Sequence, residues 1–300
     1  MEQVDSPLTN AKAKLVGTID AEAIIRGYSD TYGIDVSRYF KMVPTVNIFE
    51  CQASAYRFYH PLTLTGQSDL YEQLQQFTWN YKADKWEYQR ALSFVRAENV
   101  LLDVGCGEGA FLKLAREKGA TVSGLEFNSD AVAIARANNL NVNKQTIGEH
   151  RSAASQQYDI VTCFQVLEHI ENVRAFLDDC VASIRPGGIF IVGVPNNDSF
   201  LQFDNNAVLN MPPHHMGLWR RQSLEYIGKL FSLETISISN EPLAEADWFT
   251  AVMIRRWLPN PILKSIYYKL RLDRPTTLLV SIMSPYIAGH TILAVFRKPV

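Results

Sequence analysis

From Asn99 onward the chain alternates short apolar runs with amphipathic segments: VLLDV, AFLKLAREKG, TVSGLEF, DAVAIARANN, and later YDIVTCFQVL, RAFLDDCVASI and IFIVGVP. A run of four to eight apolar residues is a buried strand, and the segment between two such runs has helical periodicity. Strands separated by helices of that length form βαβ units on a parallel sheet, which leaves an α/β architecture. The helix RQSLEYIGKLF and the strand SLETISIS extend the pattern. The Arg185-Pro186-Gly187-Gly188 turn ends a helix and offers a left-handed position that glycine takes at little cost.

The rhythm divides the chain in three. Residues 1–97 form an N-terminal arm and cap, with a β-rich patch (VNIFECQASAYRFYHP) and an aromatic helical stretch from Asp69 to Val95. Residues 98–240 together with 290–300 form the α/β domain, and residues 241–289 are a helical insertion before the last strand. In the cap, Arg57, Tyr59, His60, Trp79 and Trp86 are expected to fill the core rather than touch a ligand, since aromatics at helical or strand spacing mostly pack inside.

With 300 residues and 47% hydrophobic side chains the chain can bury a full core. Its 29 Lys and Arg against 31 Asp and Glu offer no attraction to a polyanion, so no nucleic-acid partner is expected. Cys51, Cys106, Cys163 and Cys180 are widely spaced and form no CxxC pair, which argues for reduced thiols. The polar start, MEQVDSPLTNAKAK, lacks the basic and apolar blocks of a signal peptide, and a cytoplasmic location is expected. Thr276 to Phe296 has the length of a membrane span, but Pro285, Gly289 and His290 interrupt it. A helix followed by a buried terminal strand fits better.

Asp103-Val-Gly105-Cys106-Gly107-Glu-Gly109 follows one of the apolar runs and opens a helix. Glycines there let the backbone approach a ligand, and a helix N-terminus offers unpaired N–H groups. Gly105, Gly107 and Ala110 also fit the dinucleotide pattern, with Glu126 about twenty residues on, where a ribose-binding acid belongs. Charge separates the two ligands. A carboxylate at Asp103 repels a pyrophosphate and suits the ammonium and sulfonium of S-adenosylmethionine.

The ordered set LLDVGCGEGAFL, VSGLEFN, YDIVTCFQVLEHI, IRPGGIFIVGVPN and MPPHHMGLW resembles the class I S-adenosylmethionine-dependent methyltransferases. The resemblance is strongest to the branch of ubiquinone-biosynthesis O-methyltransferases and bacterial glycan-cluster enzymes. It implies a Rossmann-like seven-stranded sheet with an antiparallel last strand and S-adenosylmethionine as cofactor. It further implies Asp103, Gly105, Cys106 and Gly107 around the methionine part, Glu126 and Phe127 near the ribose, and Gly148 and Glu149 near the adenine. Phe164 and Gln165 would line the reacting end. The N-terminal region is similar to the cap of the glycan-cluster relatives. Ubiquinone-pathway relatives carry an acid, associated with magnesium, where this chain has Gln165, so no metal is expected.

Methyl transfer is an in-line displacement, and the protein's task is to align the partners and remove the acceptor's proton. Candidate bases are Glu168 and His169, after the fourth apolar run, and His214 and His215, which follow two chain-restricting prolines. An imidazole of near-neutral pKa is the expected base, His215 ahead of His214. The expected reaction is O-methylation of a sugar, a glycan-linked acceptor or another small hydroxylated molecule. C- or N-methylation, an NAD-dependent enzyme and a non-catalytic membrane-associated scaffold stay open. In the insertion, Arg255, Arg256, Lys264, Lys269, Arg271 and Arg274 alternate with Trp257, Tyr267 and Tyr268, which leaves a peripheral membrane contact open too. The oligomeric state is not legible.

Overall fold

The computed structural model describes residues 4–75, 77, 84–153 and 157–300; Trp79 lies outside them. The cap begins with β1 (Val4–Asp5) and β2 (Lys12–Asp20), then helices α1 (Ala21–Tyr32) and α2 (Ser37–Phe40), then β3 (Thr45–Cys51) and β4 (Arg57–His60). The strands pair antiparallel in the order β1, β2, β3, β4. Asp20 caps α1 by accepting from the Glu22 N–H, and Gly33 ends the helix in the left-handed region. Among the described residues, the stretch expected as a single aromatic helix contains two, α3 (Ser68–Gln75) and α4 (Trp86–Leu92).

The α/β domain runs β5 (Val100–Val104), α5 (Ala110–Glu117), β6 (Thr121–Leu125), α6 (Ser129–Ala137), β7 (Val142–Asn143), α7 (Ile147–Ala153), β8 (Tyr158–Phe164), α8 (Val173–Ala182) and β9 (Ile184–Pro195). After a long loop come β10 (Gly217–Leu218), α9 (Arg221–Leu230) and β11 (Glu234–Pro242). The insertion supplies α10 (Ala246–Trp257), α11 (Pro261–Lys269) and α12 (Asp273–Met283) before the closing strand β12 (Ala288–Arg297). The large sheet has seven strands in the order β11, β12, β9, β8, β5, β6, β7. Strands β5 to β9 pair in parallel, and β12 runs antiparallel to both β9 and β11. This is the Rossmann-like seven-stranded sheet with a reversed last strand. Buried aliphatic and aromatic side chains cover both of its faces. The apolar stretch after Thr276 divides into the end of α12 and β12, and no helix among the described residues is long and apolar enough to cross a membrane.

Residues 196–219 leave the large sheet and join the cap. Strand β10 pairs with β4, with Gly217 opposite Phe58 and Leu218 opposite Arg57. The Tyr59 N–H donates to the Met216 carbonyl at 2.9 Å, and the Tyr28 and Tyr59 hydroxyls donate to the Met211 and Asn210 carbonyls. Trp219 is fully buried with its ring centroid 4.4 Å from that of Tyr56. A Cβ on Gly217 would stand 2.4 Å from the Tyr56 hydroxyl, so only glycine lets β10 come this close. Of the cap residues expected to be structural, Arg57 bridges Glu50 on β3, Tyr59 is buried, and His60 packs edge-on to Phe49. Trp86 packs on the large sheet's core and also borders the large cavity at the strand ends.

Candidate active site

A cavity of about 1800 Å³ lies at the carboxyl ends of the parallel strands, between the large sheet, the cap and the insertion. Ligands of open α/β sheets bind at this edge. One wall is the loop between β5 and α5. Gly105, Gly107 and Gly109 all have positive φ (76°, 54° and 80°), and Gly109 is the N-cap of α5. The Gly105 and Cys106 N–H groups donate to the Leu125 carbonyl, which ties the loop to the end of β6. The Glu126 carboxylate joins this loop to the start of the next one: one oxygen accepts from the Gly107 N–H at 2.9 Å, the other from the N–H groups of Phe127 and Asn128. Two carboxylate oxygens offer about four acceptor positions, so capacity remains for a ligand's hydroxyls. Phe127 stands exposed at the rim.

Of the residues expected at the site, Gly105, Cys106, Gly107, Glu126, Phe127, Phe164, Gln165, Glu168, His169, His214 and His215 line this single cavity. Asp103, Gly148 and Glu149 do not. Gly148 and Glu149 border a separate shallow surface pocket with Thr146 and Asp179. Glu149 is spent on a capping box, accepting from the Thr146 N–H at 2.7 Å while Thr146 Oγ1 accepts from the Glu149 N–H. The spacing Thr-x-x-Glu carried that signal in the sequence.

Asp103 is buried behind the glycine loop and accepts from the Thr162 hydroxyl at 2.7 Å. Burial pushes its carboxyl up to about 7, helped by the nearby Glu126 and opposed by the Thr162 bond. The folded chain therefore holds a proton that the unfolded chain, with a carboxyl near 3.8, has released. Stability falls as pH rises from about 4 through 7 on account of this group. Asp103→Asn, which cannot ionise, is expected to lose that slope, a difference of at most about 4 kcal/mol across the window at 1.36 kcal/mol per unit. Urea denaturation of both proteins across the pH range checks it. Parallel stability curves would show that Asp103 does not titrate there.

The opposite wall carries the histidines. The sequence expectation of a near-neutral imidazole is corrected here: burial holds His169 down at about 4 and His214 at about 3, and His215 falls well below its usual value. Each ring has its Nδ1 committed. His169 Nδ1–H donates to the His214 carbonyl at 2.7 Å, and His214 Nδ1–H donates to the Leu209 carbonyl at 3.0 Å. His215 Nδ1–H donates to Asn210 Oδ1 at 3.3 Å. A carbonyl oxygen only accepts, so these contacts place a proton on each Nδ1, and the Gln165 backbone is a second hydrogen-bond partner of the His169 ring. Beside them Glu168 is buried, neither carboxylate oxygen has a hydrogen-bond partner, and burial pushes it up to about 8. Its Oε1 lies 3.9 Å from His169 Nε2.

Four cavity residues were not anticipated. Tyr71 of α3 packs against His169 and His214, and buried Glu87 of α4 accepts from Gln165 Nε2 at 3.5 Å. Glu241 and His290, at the ends of β11 and β12, approach to 3.6 Å. Gln165 itself adopts a left-handed conformation, φ 55°.

Residues 76–238 match the family described as Methyltransferase domain, which is more than half of the chain. The chain belongs to the class I S-adenosylmethionine-dependent methyltransferases. The cofactor of this methyltransferase is S-adenosylmethionine. The ubiquinone biosynthesis O-methyltransferase of Erwinia tasmaniensis is 33% identical over 105 residues, covering 33% of this chain and 43% of that protein. Its namesake from Cronobacter sakazakii is 36% identical over 94 residues, covering 29% and 39%. The methyltransferase thus spans about two fifths of the length of the curated relatives it matches. Among solved structures, a SAM-dependent methyltransferase from Archaeoglobus fulgidus shares the fold with a TM-score of 0.55 at 17% identity, over 76% of this chain and all of that one.

Proposed function

We propose that this methyltransferase moves a methyl group from S-adenosylmethionine to a hydroxyl of a small acceptor, a sugar or a glycan-linked molecule. The observation that carries the reading is one cavity lined by both the glycine loop and the imidazoles of His169, His214 and His215. Gly105, Cys106 and Gly107 would hold the methionine end, Glu126 the ribose with Phe127 beside it, and Phe164 and Gln165 the reacting end. Asp103 lies behind the loop, where a bound cation would favour its ionised form. When bound, S-adenosylmethionine supplies a methyl already activated by its sulfonium. The chain's own work is to exclude water, to orient the acceptor and to draw off its proton at the wall that carries Glu168, His169, His214 and His215.

Calorimetry with S-adenosylmethionine, S-adenosylhomocysteine and NAD tests the cofactor wall, and S-adenosylhomocysteine release over sugars, phenols and lipid-linked glycans tests the acceptor. Binding of both sulfur ligands and turnover with a hydroxylated acceptor are expected. Tight binding of NAD with neither sulfur ligand would sink the reading, and turnover confined to carbon or nitrogen acceptors would replace it.

A second reading concerns α11 and α12. Neither helix has a buried residue, and Ile262, Leu263, Leu278, Leu279, Ile282 and Tyr286 are exposed. The segment from Arg255 to Ile287 holds six Arg and Lys against one acid, Asp273. Apolar side chains beside basic ones suit the surface of an anionic leaflet, such as the cytoplasmic face of a membrane. Flotation with anionic vesicles but not with zwitterionic ones is expected; no flotation with either would remove this contact.

A further inference from the structure

We infer that His169, His214 and His215 form a binding site for a divalent transition-metal ion, with the Glu168 carboxylate as an adjoining donor. One ligand atom from each of the three histidines lies within 4.8 Å of those of the other two. The rings come from two separate segments, the turn after β8 and the loop before β10, and meet with centroids 4.6 to 4.7 Å apart.

The hydrogen bonds at Nδ1 explain why this is a ligand set and not a packed cluster. All three Nδ1–H groups are held by oxygen acceptors, which is the outer arrangement that fixes a metal-binding histidine's tautomer and aims Nε2 at the ion. Here three imidazoles stand together, and Glu168 adds two buried oxygens with no hydrogen-bond partner. A cation with several open coordination positions is the complementary species, and it would satisfy the imidazoles and the carboxylate at once.

The donor chemistry selects the ion. Three imidazoles and one carboxylate suit zinc, iron(II), cobalt or manganese, whereas magnesium and calcium take oxygen ligands. The expectation of no metal rested on Gln165, and the trihistidine set does not involve position 165. At metal–nitrogen bonds of about 2.1 Å, tetrahedral ligand nitrogens stand about 3.4 Å apart, so the rings would draw together by up to about 1.4 Å on binding. His169, partly open to the cavity, has room to move.

The test uses the full chain, stripped with a chelator and dialysed, without cofactor or acceptor, so its outcome is separate from that of the methyl-transfer reading. Zinc followed by calorimetry is expected to bind one ion per chain. Cobalt(II) is expected to give ligand-field absorption of nitrogen and oxygen coordination. His169→Ala and His214→Ala should each weaken zinc by at least about 100-fold, the upper end of what losing an outer partner costs. Circular dichroism reports whether the variants fold. If they do not, the wild-type cobalt spectrum still decides, since thiolate charge-transfer bands would put the ion on cysteines. That result, no stoichiometric binding by folded wild type, or unchanged binding by folded variants would each overturn the proposal.

Discussion

His169→Ala and His215→Ala are each expected to lower turnover with the true acceptor by about 10²–10⁴-fold, the range of general acid–base assistance, while S-adenosylmethionine binds nearly as before. The two effects separate because the residues sit on different walls. The cofactor wall is built by the ends of β5 and β6, which alanine at position 169 or 215 does not touch. The histidine wall belongs to the turn after β8 and the loop before β10. His169 has a second connection, since its Nδ1–H bond to the His214 carbonyl clips the two histidine segments together. Removing it should therefore disturb His214 as well, and the larger loss is expected at position 169. S-adenosylhomocysteine release measures the turnover and calorimetry the cofactor affinity. Near-normal turnover in both variants would move proton handling to Glu168 or to a cap group such as Tyr71 or Glu87.

Gly105→Ala is expected to destabilise the protein by about 2–5 kcal/mol and to abolish measurable cofactor binding. Two costs combine. A side chain at φ 76° costs about 1–2 kcal/mol. A Cβ there would stand 2.4 Å from Val166 Cγ2, and forcing an atom into packed surroundings adds about 1–3 kcal/mol. Valine cannot step aside cheaply, because its branched Cβ restricts χ1. The strain falls on the loop whose N–H groups are tied to Leu125 and Glu126, so the wall deforms where it must be rigid. The double variant Gly105→Ala/Val166→Ala separates the contributions: it should relieve the clash and leave the backbone penalty. Denaturant titration of the three proteins measures this, and a Gly105→Ala protein as stable as wild type would show that neither cost applies.

The parallel sheet was legible because each strand is an apolar run and each helix has its own period. The glycine loop, Glu126 and the paired histidines were legible as local motifs. The features that escaped the sequence are non-local. Strand β10 is two residues long and carries no periodic signal, yet it moves residues 196–219 from the large sheet to the cap. Glu87 and Tyr71 sit in aromatic strings that read as core, and only tertiary packing turns them to the cavity. Asp103 and Glu149, by contrast, do not line the cavity. One is enclosed behind the loop and the other closes the first turn of α7. The imidazole environment was out of reach as well, since it depends on three carbonyl-type acceptors and on burial that no spacing encodes.

The excursion that forms β10 bears on how such enzymes can be recombined. A cap exchanged between relatives as one N-terminal piece would arrive without its fifth strand and would leave Trp219, Met211 and Met216 of the recipient facing water. The donated piece would also lack the partners of its own Tyr28 and Tyr59 hydroxyls. A working chimera has to carry two segments, the N-terminal block and the stretch between β9 and α9. That second segment brings His214 and His215 with it, so in this architecture a new cap and a new acceptor wall are inherited together.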